Sequence, residues 1–122
     1  MTDPAPTLIF KICHAPEWHE AQLRGRYDGS PKDREDGFLH FSAQAQLLGT
    51  LEKWYATATD LILVAVHTAR LGAALSWEPS REGALFPHLY ASLALSAVAW
   101  TAPIGRDTCG GFVLPAAIAD HA

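Results

Sequence analysis

The run Leu61 to Val66, LILVAV, constrains the fold of this 122-residue chain more than any other segment. It holds six consecutive apolar residues, several of them β-branched, with no polar residue between them. A strand with one face in water alternates apolar and polar residues, whereas a strand covered on both faces reads as a continuous apolar run. The segment is therefore predicted to be the central strand of a sheet.

Two helices are predicted before this strand. The first begins at His14-Ala15-Pro16, because a proline near the first helical position loses no hydrogen bond, and it ends at Gly25. We expect its inner side to carry Trp18, Gln22 and Leu23. Ser42 is a suitable N-cap for the second helix. Apolar residues recur at helical spacing in that helix and form its apolar side: Leu47, Leu48, Leu51, Trp54 and Tyr55.

The remaining segments are shorter. Strands are predicted over Leu8 to Ile12, Phe38 to Phe41, Ala84 to Phe86 and Ala97 to Thr101. The stretch from Tyr27 to Asp36 holds six charged residues besides glycine and proline, which predicts a solvated loop. Together these elements predict an α+β fold, with two main helices packed on a small, interrupted sheet. The length predicts a single domain over residues 1–122.

Composition excludes several classes of function. The formal net charge is −4 and no dense Lys/Arg block offsets it, so extended nucleic-acid binding is not expected. The longest apolar run is too short to span a membrane, and the start MTDPAPT lacks the pattern of a signal peptide. We therefore expect a soluble, cytoplasmic protein. Cys13 and Cys109 lack C-x-x-C spacing and are expected to be buried or unreactive thiols.

Three stretches place ionisable side chains in apolar, strand-like sequence: GFLHFS (37–42), SWEPSREG (76–83) and FPHLY (86–90). Strand alternation puts Phe38 and His40 on the same face of the first strand. It also puts Phe86, His88 and Tyr90 on the same face of the other strand. If both strands belong to one sheet, His40, His88 and Tyr90 share a concave surface. We therefore predict a pocket that binds a small molecule there.

The candidate catalytic residues are His40, His88 and Glu78. Histidine exchanges protons near neutrality, so the imidazoles suit acid and base roles, or hydrogen bonds to ribose and phosphate oxygens. Glu78 lies between Trp77 and Pro79, where partial desolvation suits a base. The alternative for each histidine is a hydrogen-bonded structural group. The alternative for Glu78 is an ion pair with Arg81, which is either a phosphate-binding group or a solvated side chain at a turn.

No metal site is expected. His14 and His19 are five positions apart and lie on different sides of a helix, and neither H-E-x-x-H nor a cysteine pair occurs. A zinc site built from His40, His88 and Glu78 is the less supported alternative. The phosphate-binding patterns GxGxxG and Walker A are absent, as is the G-x-S-x-G pattern of serine hydrolases.

Several motifs in order carry a resemblance to a known family. They are F-K-I near the start, E-W in the first helix, G-x-x-x-G-S, D-G-F-L-H-F-S, L-x-W-E-P-S and G-A-L-F-P-H-L-Y. Over about residues 8–103 the chain resembles the bacterial domain of unknown function 952 family. The tail, 104–122, lies outside this resemblance and carries no firm prediction.

That family resembles the ADP-ribosyltransferase-like fold, which implies a small, bent, mixed or antiparallel sheet with a cleft for a nicotinamide dinucleotide. His40 and Ser42 are similar to a His-Leu-Ser element of RNA 2′-phosphotransferases, which use NAD as phosphate acceptor. The Arg-His-Gly signature of those enzymes is missing, and Glu78 is only a positional match for a catalytic glutamate. Ala91 stands where the family has glycine after the tyrosine.

Two hypotheses follow from the residues and the resemblance. The first is a pocket for a nucleotide-like or phosphorylated ligand, with NAD as the candidate cofactor and, in an enzyme, a transferase reaction. Its ligand-binding residues are Ser42, Trp77, Arg81 and Tyr90, with Tyr90 stacking on a base or a nicotinamide ring. The second is a non-catalytic domain that binds a small metabolite or a peptide. Neither oligomeric state nor substrate follows from the sequence.

Overall fold

The structure is a computed structural model that describes residues 7–80 and 83–120. Its strands are β1 (Leu8–His14), β2 (Arg26–Tyr27), β3 (Leu39–His40), β4 (Leu61–His67), β5 (Leu75–Pro79), β6 (Leu85–Leu89), β7 (Leu93–Ala94), β8 (Val98–Pro103), β9 (Gly105–Arg106) and β10 (Phe112–Val113). Its helices are α1 (Ala15–Arg24), α2 (Pro31–Asp36), α3 (Leu47–Trp54) and α4 (Ala117–Asp120). The fold is α+β, as predicted.

The central-strand prediction is confirmed. β4 lies between β1 and β8 in an antiparallel sheet and pairs with both along most of its length. Its two faces pack against different groups of apolar side chains. Val64 and Val66 pack in one core with Ile9, whereas Leu63 and Ala65 pack in another with Phe10. The continuous apolar run is thus explained by a strand buried on both faces.

A second antiparallel sheet has the order β3-β6-β5, and two further pairs join β2 to β7 and β9 to β10. All strand pairs among the described residues are antiparallel. The chain after β3 connects the two sheets, because Ser42 exchanges backbone hydrogen bonds of 2.8 and 2.9 Å with Phe10 of β1. This connection holds β3 and β6 beside the first sheet.

Helix α1 confirms the predicted bounds. Gly25 ends it in the left-handed conformation, with φ of 88°, and donates its N–H to the carbonyl of Ala21. Trp18 and Ala21 are buried, but Gln22 and Leu23 are exposed, so their predicted inward orientation is wrong. Leu23 lies two positions beyond Ala21, about 200° around the helix axis, which turns it away from the core.

The predicted loop over 27–36 is wrong, because it contains the last residue of β2 and the whole of helix α2. Ser30 accepts a hydrogen bond from the Asp33 N–H, and the Asp33 carboxylate accepts one from the Ser30 N–H at 2.9 Å. Pro31 occupies the first turn and Gly37 ends the helix with φ of 86°. These reciprocal bonds form a capping box, which stabilises even a short, charged helix.

The predicted cap of the second helix is also wrong. A 3-10 turn, Gln44–Gln46, precedes α3, and Ala43 rather than Ser42 lies before that turn. Ser42 instead pairs with β1 through its backbone. Leu47 and Leu51 are buried as expected, but Leu48 and Trp54 are exposed. None of the described helices is long and apolar enough to cross a membrane.

Candidate functional site

His40 and His88 face each other across two neighbouring strands. β3 and β6 are antiparallel with Leu39 opposite Leu89 and His40 opposite His88. Directly opposed residues point to the same face of a sheet, and the two imidazole centroids are 5.5 Å apart. The structure therefore brings together the two histidines that strand alternation had identified.

Both histidines line a pocket of about 540 Å³, where β1, α2 and α3 meet strands β3 and β6. A volume of this size suits a small organic molecule. One part of the lining is polar and includes Lys11, Lys32, Asp33, Asp36, His40 and His88. Another part is apolar and aromatic and includes Phe10, Ile12, Phe41, Trp54, Tyr55 and Phe86.

Glu78 and Phe38 hold the His88 ring. Phe38 stacks on the imidazole with ring centroids 4.1 Å apart, and His88 Nδ1 lies 2.8 Å from Glu78 Oε1. Since a carboxylate only accepts hydrogen bonds, the neutral ring carries its proton on Nδ1 and leaves Nε2 as an acceptor. No hydrogen bond to Nε2 occurs among the described residues. His88 is buried, yet it lines the pocket and one ring nitrogen is unused.

Glu78 also accepts a hydrogen bond of 2.6 Å from the Tyr90 hydroxyl. The hydrogen bond from Tyr90, followed by that from His88, lowers the pKa of Glu78 below its ordinary value. The same bond raises the pKa of Tyr90. Glu78 therefore remains a carboxylate that orients His88, and the expectation of a desolvated base with a raised pKa is wrong.

His40 is held differently, since both of its ring nitrogens face carboxylates of α2. Nδ1 lies 2.6 Å from Asp33 Oδ1, and Nε2 lies 2.9 Å from Asp36 Oδ2. The Nδ1 contact is a hydrogen bond, and the Nε2 contact is a close polar approach. The ring is one-third exposed. Both nitrogens of His40 therefore face α2, which holds the ring in the wall of the pocket.

Lys11 and Asp33 form a buried ion pair below His40. Lys11 Nζ lies 2.8 Å from Asp33 Oδ2, and the two side chains are only 4% and 1% exposed. Burial alone raises the pKa of Asp33, but the hydrogen bond from His40 and the charge of Lys11 outweigh it and hold the pKa well below the ordinary value. Asp33 thus connects β1, α2 and β3 through one carboxylate.

The other predicted site residues are distributed around this pocket. Ser42 lines it, with its hydroxyl 3.3 Å from that of Thr50. Tyr90 is half-exposed, and it is linked to His88 through Glu78, which its hydroxyl contacts, and through the ring of Phe38. Trp77 of β5 lies opposite Pro87 of β6. Its side chain is on the other face of the sheet from Glu78 and packs against the core. Arg81 lies outside the described residues.

Sequence reasoning missed Lys11, Asp33, Asp36 and Trp54 as pocket residues. A lysine inside the apolar strand LIFKIC was a usable signal, because lysine is almost never buried without a partner. The Ser-Pro-x-Asp pattern at 30–33 was a second signal, since it is typical of a helix N-terminus. Neither pattern indicates which distant residue the charged group contacts.

Neither cysteine is part of this site, and the site has no metal-binding arrangement among the described residues. Cys13 is buried, and burial raises the pKa of its thiol to about 12, so it remains protonated, as expected of a buried thiol. Cys109 is exposed and also free. Within residues 7–80 and 83–120, no group of three or more His, Cys, Asp or Glu side chains has an arrangement that could hold a metal ion.

Solved structures of a bacterial protein, CC0527 from Caulobacter crescentus, are similar to this chain. Its X-ray crystal structure is 43% identical, covers 94% of this chain and 97% of that chain, and has a TM-score of 0.84. Its solution NMR structure is 45% identical, covers 86% of this chain and 90% of that chain, and has a TM-score of 0.77. Residues 12–101 match the family described as "Protein of unknown function (DUF952)". No curated protein matches the chain.

Proposed function

Because the chain belongs to the DUF952 family, whose description assigns no activity, we propose a function from the pocket itself: it binds a small, phosphorylated, nucleotide-like ligand. The observation that carries this proposal is the opposed pair of histidines at the pocket wall. His40 has both nitrogens engaged, whereas His88 has Nε2 without a partner among the described residues. His88 is thus the group that contacts the ligand.

The charge of the pocket is compatible with an anionic ligand. The lining holds two lysines, Lys11 and Lys32, against two aspartates, Asp33 and Asp36, a net charge of zero with the histidines neutral. The whole chain has a formal net charge of −4 on the same basis, so the pocket is less negative than the molecule as a whole. A phosphate placed there gains both charge attraction and hydrogen bonds.

The resemblance to ADP-ribosyltransferase-like folds narrows the ligand class. It supports NAD, ADP-ribose and 2′-phosphorylated nucleotides as the first ligands to test. In a catalytic version of this proposal His88 is the general base of a transferase reaction, Glu78 orients it, and His40 shapes the pocket wall beside it. Ser42, Arg81 and Tyr90 retain supporting roles, and Trp77 has none because it packs on the opposite face.

One observation favours the second candidate, a non-catalytic domain that binds a small metabolite or peptide. The Ser42 hydroxyl lies within hydrogen-bond distance of Thr50 Oγ1. The Thr50 hydroxyl donates in turn to the Gln46 carbonyl. Ser42 is therefore engaged in a structural network and is not bonded to His88. The second candidate predicts ligand binding without any chemical turnover.

Isothermal titration calorimetry with NAD, ADP-ribose and nucleoside 2′-monophosphates tests the proposal. We expect binding of at least one of them and a loss of about two- to tenfold in affinity for His88→Gln, the effect of one neutral hydrogen bond from a ligand hydroxyl to Nε2. His19→Gln, an exposed histidine of α1, is the matched control and is expected to bind normally. Absence of heat for all three ligand types at millimolar concentration would falsify the proposal.

A separate measurement distinguishes enzyme from binding domain. The ligand that binds is incubated with the protein, and free nicotinamide or inorganic phosphate is followed over time. Turnover that disappears in His88→Gln and persists in His19→Gln supports the transferase version. Binding without turnover supports the non-catalytic version.

A further inference from the structure

The aromatic part of the pocket contains one ring that is mostly exposed. Trp54, the last residue of α3, lines the pocket with 64% of its surface accessible. The other aromatic residues of the lining, Phe10, Phe41, Tyr55 and Phe86, are buried or half-buried. An exposed indole at a pocket edge is an apolar surface that a flat ligand group would cover.

Helical spacing explains why Trp54 reaches the pocket. Thr50 and Trp54 are four positions apart, so they lie on the same face of α3, and both line the pocket. Leu47 and Leu51 lie on the same side of the helix, about two turns and one turn before Trp54, and are buried in the core. The core contacts of these two leucines therefore set the orientation of α3, and with it the position of the indole.

The surroundings of Trp54 suit a ligand that is both aromatic and anionic. The Lys53 ammonium lies over one face of the indole, 5.5 Å from its centroid, so a ligand ring would stack on the other face with a cation close by. Among the described residues, the indole makes no contact with another aromatic ring. Tyr90, the ring expected to stack on a base, is instead packed near Phe38 and bonded to Glu78.

We propose that Trp54 is the specificity-determining residue of this pocket and selects phosphorylated ligands that carry a planar aromatic ring, such as a nucleobase, over sugar phosphates without one. This inference rests on the proposed function. The phosphate lies toward the polar wall that contains Lys11 and Lys32, and the base stacks on the indole. Stacking tolerates any base because every base has a π-face.

The experiment compares adenosine 5′-monophosphate with ribose 5-phosphate, which share the sugar phosphate and differ in the base. Affinities are measured by calorimetry, and tryptophan fluorescence is followed in parallel. We expect adenosine 5′-monophosphate to bind about tenfold tighter than ribose 5-phosphate and to quench the indole emission. In Trp54→Ala that difference disappears while ribose 5-phosphate binds as before, and Trp54→Phe retains part of it.

Leu48→Ala is the control, because Leu48 is another exposed apolar residue of α3 that does not line the pocket. It is expected to behave as the unmodified protein, and thermal melting verifies that each variant folds. Equal affinity for both ligands in the unmodified protein overturns the role of Trp54 and leaves the proposed function standing. Absence of binding by both ligands and by NAD, ADP-ribose and nucleoside 2′-monophosphates overturns both proposals.

Discussion

The two opposed histidines occupy equivalent strand positions, yet their surroundings differ. His40 is held at both nitrogens by Asp33 and Asp36, and Asp33 also binds the buried Lys11. His88 is held at one nitrogen by Glu78 and stacks on Phe38. Residue type and strand face are therefore not enough to assign a role to a histidine. The role depends on whether a ring nitrogen is left without a hydrogen-bond partner.

The largest expected effect concerns the buried ion pair on the His40 side. Asp33→Ala leaves Lys11 as a buried charge without a partner, which costs about 3–5 kcal/mol of the free energy of unfolding. Urea unfolding measures this loss. The control is Asp28→Asn, since Asp28 makes its ion pairs at the surface and exposed pairs contribute about 0–1 kcal/mol.

A double variant sharpens that prediction. Lys11→Met combined with Asp33→Leu removes both charges, so we expect it to recover a large part of the stability lost in Asp33→Ala. Equal instability of the double and single variants would show that the ion pair itself is not the origin of the loss.

The second prediction is a pH dependence that follows from the lowered pKa of Asp33. A carboxylate whose pKa is depressed by folding stabilises the protein above its unfolded pKa, which is 3.8 for aspartate. That stabilisation declines as the pH falls below this value, because the unfolded state takes up the proton first. We expect the free energy of unfolding to fall between about pH 5 and pH 2, and Asp33→Asn to flatten the decline. An unchanged slope in Asp33→Asn contradicts the assignment.

The third prediction compares the histidines directly. His40→Gln removes one of two charge-assisted contacts with α2 and is expected to cost about 1–3 kcal/mol of stability. His88→Gln keeps an amide donor for Glu78, so its loss of stability is smaller while ligand affinity falls. Thermal unfolding and calorimetry on both variants test this. The comparison fails if His88→Gln is the more destabilised protein.

The smallest effect is expected at Tyr90. Tyr90→Phe removes the hydrogen bond to Glu78 and raises the pKa of that carboxyl group toward its ordinary value. Since Glu78 keeps its bond to His88, folding is expected to be unaffected and ligand affinity to fall only slightly. A large loss of affinity in Tyr90→Phe would instead place the phenol in direct contact with the ligand.

Local patterns predicted more of the fold than of the site. Pro16 and Gly25 marked the ends of α1 because their effects on the backbone act within one turn. Helix α2 was not predicted, because its many charged residues are also typical of a solvated loop. The capping pattern at Ser30 and Asp33 would have indicated a helix. Strand alternation placed His40 and His88 correctly on their faces, but the acids that hold them come from other elements.

Local sequence patterns suffice to predict the α+β class, the central strand and the histidines on strand segments, because hydrophobic periodicity and capping depend on neighbours in the chain. The contacts of His40 with His88 and of Lys11 with Asp33, 22 positions away, exist only in the folded molecule. The tertiary structure also turns Trp77 toward the core and Trp54 toward the pocket. Strand register and helix docking set these contacts, and both depend on packing among residues distant in the chain.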